Sequence, residues 1–456
     1  MKPYIEDIID HFYTLPYAEI DPATLHQVRR SFLDYYGCAL YTANAACCKE
    51  LVALLLDLGA QGNYPIWGES RRGNVVSAAA ANACRISNIE MDDGSGINAA
   101  VHPGLYVWTG ALAAFQEKPC SIEQLMKAIL FGYDVCMRMG MLSAKTVSQY
   151  ELHGPGLSGA FGTVAAAGMV LGLSKEQLLN AFGIAGALLP LCPFISFIDG
   201  VDAKDLYGGW GVYLAMMAIE ATKRGLTGSK QIMDGTKSLK VFYSDSRGKD
   251  TALGTPYYIN VIGFKEFATC LAAHPALICA EKIMHENDFT AEAITRVDVH
   301  VNMEAFQLSN NAGFPLTPTS ARLCIPYVLA VAFMDGKVRP SAFDANHINN
   351  KGRYMELANR ISLIPEPKFS EGGQSIRACT LEVEIADGRK LKAETQGIRW
   401  CERNPSDEEL LNKFGMLTEN ILDVAERDAI ACRIFSFKSV EELEELLEVL
   451  ECTAKS

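Results

Sequence analysis

The sequence predicts a mainly α-helical protein with two domains, a large all-helical domain and a smaller α+β domain. Apolar residues recur at helical spacing through roughly the first 260 residues. Two later segments, 297–301 and 381–394, instead alternate apolar and polar residues, as half-buried strands do. The length of 456 residues exceeds the size at which a single core stops growing, so two domains are favoured.

The helical domain is predicted from successive apolar faces and from the residues that begin and end helices. Residues 23–40 carry one apolar face, and a proline at position 103 precedes the apolar run 105–115. Proline is tolerated in a first helical turn, so His102 is expected just outside a helix N-terminus. The segment 154–172 is rich in Gly, Ala and Ser, which predicts closely approaching helices. Gly225 is expected to stop the helix that runs from 210 to 223.

The smaller domain is predicted from the change in periodicity after about residue 265. Val297, Val299 and Val301 alternate with polar residues, and Asp387-Gly388 turns a second alternating strand into a hairpin. The tail returns to helical spacing, with a capping-box sequence at Ser439. We therefore predict a helical domain over 1–264, completed by 405–456, and an α+β domain over 265–404.

Composition excludes several classes of protein. The formal charge of −13 and the lack of a basic run argue against nucleic-acid binding. Fourteen cysteines occur without a CxxC pair, and the acidic start does not resemble a secretory signal, which predicts a reduced, cytoplasmic protein. The missing CxxC pair disfavours a zinc or iron–sulfur site, but ligands from distant positions stay open. The apolar stretches 157–173 and 182–198 are too short or too interrupted by Ala, Gly and Pro to span a membrane, so buried helices are expected.

Polar residues that suit acid/base chemistry stand in apolar, small-residue surroundings at several places along the chain. Asp92 and Asp93 precede Gly94, and His102 follows nine residues after Asp93. An aspartate pair can also cap a helix or hold a turn, and a buried histidine can be merely structural. His153 and Lys204 recur downstream, although Lys204 can equally pair with flanking aspartates. Lys265 and His274 lie at the predicted domain junction, where small-ligand clefts are common.

These residues resemble the conserved blocks of the MmgE/PrpD family, in the family's order along the chain. The blocks are Asp92-Asp93-Gly94 with His102-Pro103-Gly104, His153 with Phe161-Gly162, Lys204-Asp205-Leu206 with Gly225-Leu226-Thr227-Gly228, Lys265 with Cys270 and His274-Pro275, and residues 321–327 with Asp335-Gly336. Two features depart from the family pattern. The loop 95–101 lacks the Thr, His or Arg that members often carry, and Arg322 stands where many members have Lys.

The resemblance implies an all-helical domain with an α+β lid, usually in a homodimer, and metal-free acid/base chemistry without a cofactor on a small di- or tricarboxylate. It suggests Lys204 and Lys265 as cations, His102 and His153 as proton-transfer groups, and Asp93 as the residue that orients or charges a histidine. Asp92, His274 and Tyr327 are expected to contact the substrate. We expect a hydratase/dehydratase first, then an epimerase, then a decarboxylase. A catalytically silent binding protein is the remaining alternative.

Overall fold

The computed structural model describes residues 3–45, 48–95, 101–243, 252–309, 317–350, 352–370 and 377–452. Helices make up most of the chain as far as residue 223. They are α1 (Tyr4–Thr14), α2 (Pro22–Asn44), α3 (Lys49–Leu58), α4 (Val75–Asn88), α5 (Pro103–Glu117), α6 (Ile122–Gln149), α7 (Gly154–Val170), α8 (Lys175–Ala187), α9 (Ile195–Ile198) and α10 (Asp205–Lys223). Three short strands lie among them, β1 (Tyr64–Pro65), β2 (Arg72–Gly73) and β3 (Asp93–Ser95).

The helix boundaries follow the sequence signals. Helix α2 covers the predicted segment 23–40, and α5 begins at Pro103 with His102 as its N-cap residue. Helix α10 ends at Lys223, and Gly225 takes the left-handed backbone conformation (φ +84°) that favours glycine. These predictions are confirmed.

Small residues let α7 lie at the centre of the helical part. Every residue of α7 is buried, and α7 packs against α5, α6 and α10. A Cβ atom added to Gly162 would lie 2.8 Å from Cβ of Cys136 and 3.0 Å from the carbonyl oxygen of Gly132, both on α6. The Gly- and Ala-rich composition therefore serves close helix packing, as predicted.

The second apolar stretch differs from its prediction. Residues 182–187 form the end of α8, but residues 188–198 form a loop and the short α9, with Leu188 and Leu191 exposed. Pro190 and Pro193 lack the amide hydrogen that a continuing helix requires, which explains the break. Among the described residues no single helix is long and apolar enough to cross a membrane; α2 and α3 meet the criteria of length and composition only as a pair bent by 92°.

After β4 (Ile262–Phe264) the chain builds a mixed sheet covered by helices. Its strands are β5 (Ile294–Val301), β6 (Ile361–Pro365), β7 (Cys379–Ile385) and β8 (Lys390–Thr395), in the order β6-β5-β7-β8 with only β5 and β6 parallel. The helices of this part are α11 (His274–Glu286), α12 (Met303–Ser309), α13 (Pro318–Arg322), α14 (Ile325–Asp335), α15 (Ala345–Asn349), α16 (Gly352–Ala358) and α17 (Arg399–Glu402). The predicted strand and hairpin are confirmed, and the protein is mainly α with a small α+β part.

The tail returns to the first helices. It contains α18 (Asp407–Thr418), α19 (Val424–Ser436) and α20 (Val440–Cys452). Helix α18 packs on α2, and the ammonium of Lys413 on α18 is paired with the carboxylate of Asp34 on α2. The Ser439 capping box forms, with the Glu442 amide donating to Oγ of Ser439 at 3.3 Å. The division at residues 265 and 404 stays a prediction.

Candidate active site

A three-residue ladder joins two distant parts of the chain and assembles the site. Strand β3 pairs antiparallel with β4, and Asp93 lies opposite Phe264. The residues that flank this pair, Asp92 and Lys265, are thereby brought together: Nζ of Lys265 donates to Oδ1 of Asp92 at 3.2 Å. Both side chains are buried. The sequence-predicted aspartates and lysine therefore belong to one cluster.

Glu90 bridges the two predicted cations. Nζ of Lys265 donates to Oε2 of Glu90 at 2.6 Å, and Nζ of Lys204 donates to Oε1. Lys204 also donates to the carbonyl of Ser87 at 3.2 Å. Glu90 has a left-handed backbone (φ +52°), which is unusual for a residue other than glycine and turns its side chain into the cluster at a cost in strain.

The charges of this cluster stabilise one another. Burial opposes ionisation of Glu90, but Lys204 and Lys265 outweigh that effect and hold its pKa well below its usual range. Burial likewise opposes the charge of Lys265, and Asp92 and Glu90 raise its pKa above the ordinary lysine value. Two ammonium groups thus face two carboxylates, and the cluster is close to electrically neutral.

His102 is oriented by the main chain. Its Nδ1 lies 2.6 Å from the carbonyl oxygen of Asp93, and Oδ2 of Asp92 lies 3.4 Å from the same nitrogen. Because a carbonyl oxygen only accepts, Nδ1 carries the hydrogen and Nε2 keeps its lone pair. Burial lowers the pKa of His102, and the Asp92 carboxylate opposes that shift. The free imidazole is therefore a neutral base whose cationic form Asp92 stabilises.

The side chain of Asp93 has a different task from its carbonyl group. Its Oδ1 accepts from the amide of Gly104 at 2.8 Å, and its Oδ2 is 2.7 Å from the hydroxyl of Tyr133. Burial raises the pKa of Asp93 to about 8. Gly104 must be small here, since an added Cβ would lie 2.9 Å from Oδ2 of Asp93. Asp93 thus anchors the start of α5, and it orients His102 through the backbone rather than through its carboxyl group.

His153 lies on the Lys204 side of the cluster in an aromatic setting. Its ring is 5.7 Å from that of Phe197 and 5.3 Å from that of Tyr207, and its Nδ1 is buried with no hydrogen-bond partner among the described residues. Burial lowers the pKa of His153 to about 3, and the charge of Lys204 adds to that shift. His153 therefore stays uncharged near neutral pH.

The two remaining predicted substrate contacts have other surroundings. His274 is fully buried; its Nε2 is 3.4 Å from the carbonyl oxygen of Thr269, and burial followed by the charge of Lys265 lowers its pKa to about 3. Tyr327 donates from its hydroxyl to the carbonyl of Ala342 at 3.2 Å, within the core of the α+β part. Among the described contacts, Tyr327 does not meet the lysine–carboxylate cluster, because the buried face of α14 turns its ring inward. Its contact with substrate stays a prediction.

Several polar residues of the site were not predicted from the sequence. Glu90 is the first; it stands two positions before Asp92, and its side chain joins both lysines. Asp205 is the second: its Oδ1 lies 3.8 Å from Nζ of Lys204, and its Oδ2 accepts from Nδ2 of Asn88 at 2.7 Å. The available signal was an acidic residue within two positions of the predicted Asp92 and of the predicted Lys204.

The arrangement suits proton transfer next to bound carboxylates. A neutral histidine, whose Nε2 has no hydrogen-bond partner in the described part of the chain, stands beside two buried ammonium groups. That combination stabilises negative charge developing next to a carboxylate. Among the residues that the structure describes, no group of three or more His, Cys, Asp or Glu side chains is arranged to hold a metal ion.

Comparison with known proteins identifies the family of this chain and several relatives. The MmgE/PrpD N-terminal domain matches residues 6–252 and the MmgE/PrpD C-terminal domain matches residues 267–435. The chain is 25% identical to cis-aconitate decarboxylase of Homo sapiens over 98% of this chain and 93% of the relative. It is 23% identical to that of Mus musculus (98% and 92%) and 21% identical to that of Aspergillus terreus (96% and 94%). Motif order, fold and both domain matches make this chain a member of the MmgE/PrpD family.

Proposed function

We propose that this protein is an acid/base lyase that acts on a small tricarboxylate. The observation that carries the proposal is the orientation of His102, whose Nδ1–H is held by the Asp93 carbonyl at 2.6 Å, while Nε2 has no hydrogen-bond partner among the described residues. Asp92 connects the ring to the lysine cluster. A proton-transfer group and a set of cations for carboxylates are the minimum that such chemistry requires. The family's action on small carboxylates supports the same conclusion.

Lys204 and Lys265 are the proposed carboxylate ligands. In the free protein their charges are offset by Glu90 and Asp92. A substrate carboxylate entering the cluster accepts hydrogen bonds from the same ammonium groups, and such charge-assisted bonds are the strong ones. The added negative charge also raises the pKa of His102, since nearby anions favour the imidazolium form. Substrate binding thereby prepares His102 to deliver a proton.

Decarboxylation is the reaction that the relatives favour, whereas the family resemblance in the sequence leads us to expect dehydration first. Carbon dioxide leaves from a carbon next to a C=C double bond, its bonding electrons form a new double bond, and the old alkene carbon takes up a proton. One proton donor suffices for this step, and we assign it to Nε2 of protonated His102. The curated relatives are cis-aconitate decarboxylases at 21–25% identity, which supports this choice of reaction.

Dehydration is the second candidate, and His153 is the observation in its favour. Dehydration needs a base at the carbon and an acid at the leaving hydroxyl, so it needs two proton-transfer groups. His153 is a second uncharged histidine. Burial lowers its pKa most, and the charges of Lys204 and His102 lower it further. In this reaction neutral His153 takes the proton from carbon, the C–H electrons form the double bond, and the hydroxyl leaves as water with the proton of the His102 imidazolium.

Proton NMR in deuterated water separates these reactions. The protein is incubated with cis-aconitate, 2-methylcitrate and iminodisuccinate in turn. Release of carbon dioxide with one deuterium gained at carbon supports the decarboxylase; loss or gain of the alkene without carbon dioxide supports the dehydratase. Inversion with deuterium uptake and no alkene would indicate the epimerase. The variant H102N is the control, and turnover equal to wild type in that variant would contradict the proposed role of His102.

We also propose a cytoplasmic homodimer, as the family resemblance implies. Light scattering during size-exclusion chromatography measures the mass directly, and a single peak near 49.8 kDa would contradict the dimer.

A further inference from the structure

Arg322, the last residue of α13, is a buried cation that the mechanism above does not use. Its side chain is 2% exposed, and its guanidinium lies 5.3 Å from the centre of the Phe343 ring. Nη1 donates one hydrogen bond, at 3.3 Å, to Oδ1 of Asn88, while Nε is buried without a partner among the described residues. Buried charges in proteins are normally paired, because an unpaired one is costly to desolvate.

No carboxylate of the described residues lies within ion-pair distance of Arg322. Asp205 is connected to it only through Asn88, whose Nδ2 donates to Oδ2 of Asp205 at 2.7 Å. Burial raises the pKa of both Asp205 and Asp344, and the charge of Arg322 opposes that rise in each. Both carboxylates therefore interact with Arg322 electrostatically, but from beyond ion-pair distance. The guanidinium therefore retains hydrogen-bonding capacity for an anion.

Arg322 stands next to the lysine cluster. The carbonyl of Ser87 accepts from Lys204, and the side chain of the next residue, Asn88, accepts from Arg322. Consecutive Cα atoms are about 3.8 Å apart, so adjacent residues of one segment hold the two cations. The backbone of Arg322 is also hydrogen-bonded to the segment that follows Lys265, because its carbonyl accepts from the amide of Cys270 at 3.2 Å. Leu323 packs with Phe197, which in turn stacks on His153.

We infer that Arg322 forms a second carboxylate subsite, which binds the central carboxylate of a tricarboxylate while Lys204 and Lys265 hold a terminal one. The inference rests on the proposed function and deepens it by naming the feature of the substrate that is recognised. A guanidinium binds a carboxylate through two parallel hydrogen bonds. Among the described contacts of Arg322, Asn88 occupies only one of its N–H donors. Arg322 is then a specificity-determining residue.

Two unreactive acids that differ by one group test this subsite. Propane-1,2,3-tricarboxylate and glutarate share the same five-carbon chain, but glutarate lacks the central carboxylate. Isothermal titration measures both dissociation constants for wild type, R322Q and R322K. Wild type is expected to bind the tricarboxylate more tightly, and R322Q to weaken that acid about tenfold to a hundredfold while leaving glutarate nearly unchanged. R339Q, which alters an exposed arginine paired with Glu419 at 2.7 Å, is the matched control and should behave as wild type.

Every outcome of these titrations either supports or contradicts the Arg322 subsite. A preference for the tricarboxylate that survives in R322Q, or no preference in wild type, overturns the subsite. If wild type binds neither acid, the proposed carboxylate function fails together with it, and binding of both acids with equal affinity overturns the subsite alone. A lower melting temperature of ligand-free R322Q with unchanged selectivity would assign Arg322 a structural role instead. Should R322Q not fold, R322K decides: a loss of at least about threefold confined to the tricarboxylate supports the subsite, and an equal or absent loss contradicts it.

Discussion

Nζ of Lys265 donates a 2.6 Å hydrogen bond to Oε2 of Glu90, and both side chains are buried. The other carboxylate oxygen of Glu90 is taken by Lys204. A single carboxylate therefore sets the separation of two ammonium groups and keeps both in place before substrate arrives. The left-handed backbone of Glu90 (φ +52°) costs free energy, which the rest of the folded structure must offset.

Replacing Glu90 with glutamine removes the charge of this bridge and leaves an accepting oxygen for only one of the two ammonium groups. With less negative charge beside it, the ammonium of Lys265 loses part of what raises its pKa. We expect the basic limb of the pH profile of kcat/KM to move to lower pH by about one unit or more in E90Q. The matched control is E117Q, whose carboxylate pairs with Lys223 away from the site. An unmoved basic limb would show that Glu90 does not support the charge of Lys265.

Removing the imidazole of His102 should abolish turnover without unfolding the protein. In H102N the expected loss in kcat is at least about a hundredfold, the usual contribution of a positioned acid or base. Deuterium incorporation at the substrate carbon should fall by the same factor, since both depend on Nε2. The control is H300N, on strand β5, where the ring is 3.9 Å from the carboxylate of Glu366. Normal activity in folded H102N would remove this residue from the mechanism.

The parts of the fold that sequence reasoning predicted are those with a local cause. Helix α5 begins at Pro103 because proline suits a first turn, and the β7–β8 hairpin follows from alternation around Asp387-Gly388. The ladder between β3 and β4 has no such cause. It joins residues 93–95 to 262–264 through three residues on each side, and a pairing of that separation leaves no periodic pattern to read.

The same distinction applies to the candidate site. Residue types suggested Lys265 and His102, but not that the carbonyl of Asp93 rather than its carboxyl group would orient His102. Backbone groups carry no signal in a sequence. Tyr327 is a further case: its family motif suggests a substrate contact, which stays a prediction, and the structure shows its hydroxyl donating to the carbonyl of Ala342.

His153 offers a test of whether the aromatic side of the site takes part in proton transfer. We expect H153A to fold normally and to lose at least about two orders of magnitude in turnover. The loss should appear mainly in kcat, because the lysines that hold the substrate carboxylates are left in place. H285A, which removes an exposed histidine of α11, should match wild type. Wild-type turnover in folded H153A would exclude His153 from the reaction.

The buried carboxyl of Asp93 should make stability depend on pH in a predictable direction. Its pKa is raised by burial from 3.8 to about 8, so the folded state holds a proton that the unfolded chain has lost. This protonated carboxyl contributes fully to the free energy of unfolding below pH 3.8, and the contribution disappears as the pH rises through 8. The free energy of unfolding then changes by no more than about 1.4 kcal/mol per pH unit.

The variant D93N tests this dependence. It is neutral throughout and keeps an oxygen for the Gly104 amide, so its free energy of unfolding should fall less than that of wild type between pH 5 and pH 8. Urea unfolding at both pH values measures the difference, and D202N, at an exposed aspartate, should follow wild type. If D93N and wild type change equally, Asp93 is ionised in the folded protein and its anchoring of α5 is that of a carboxylate.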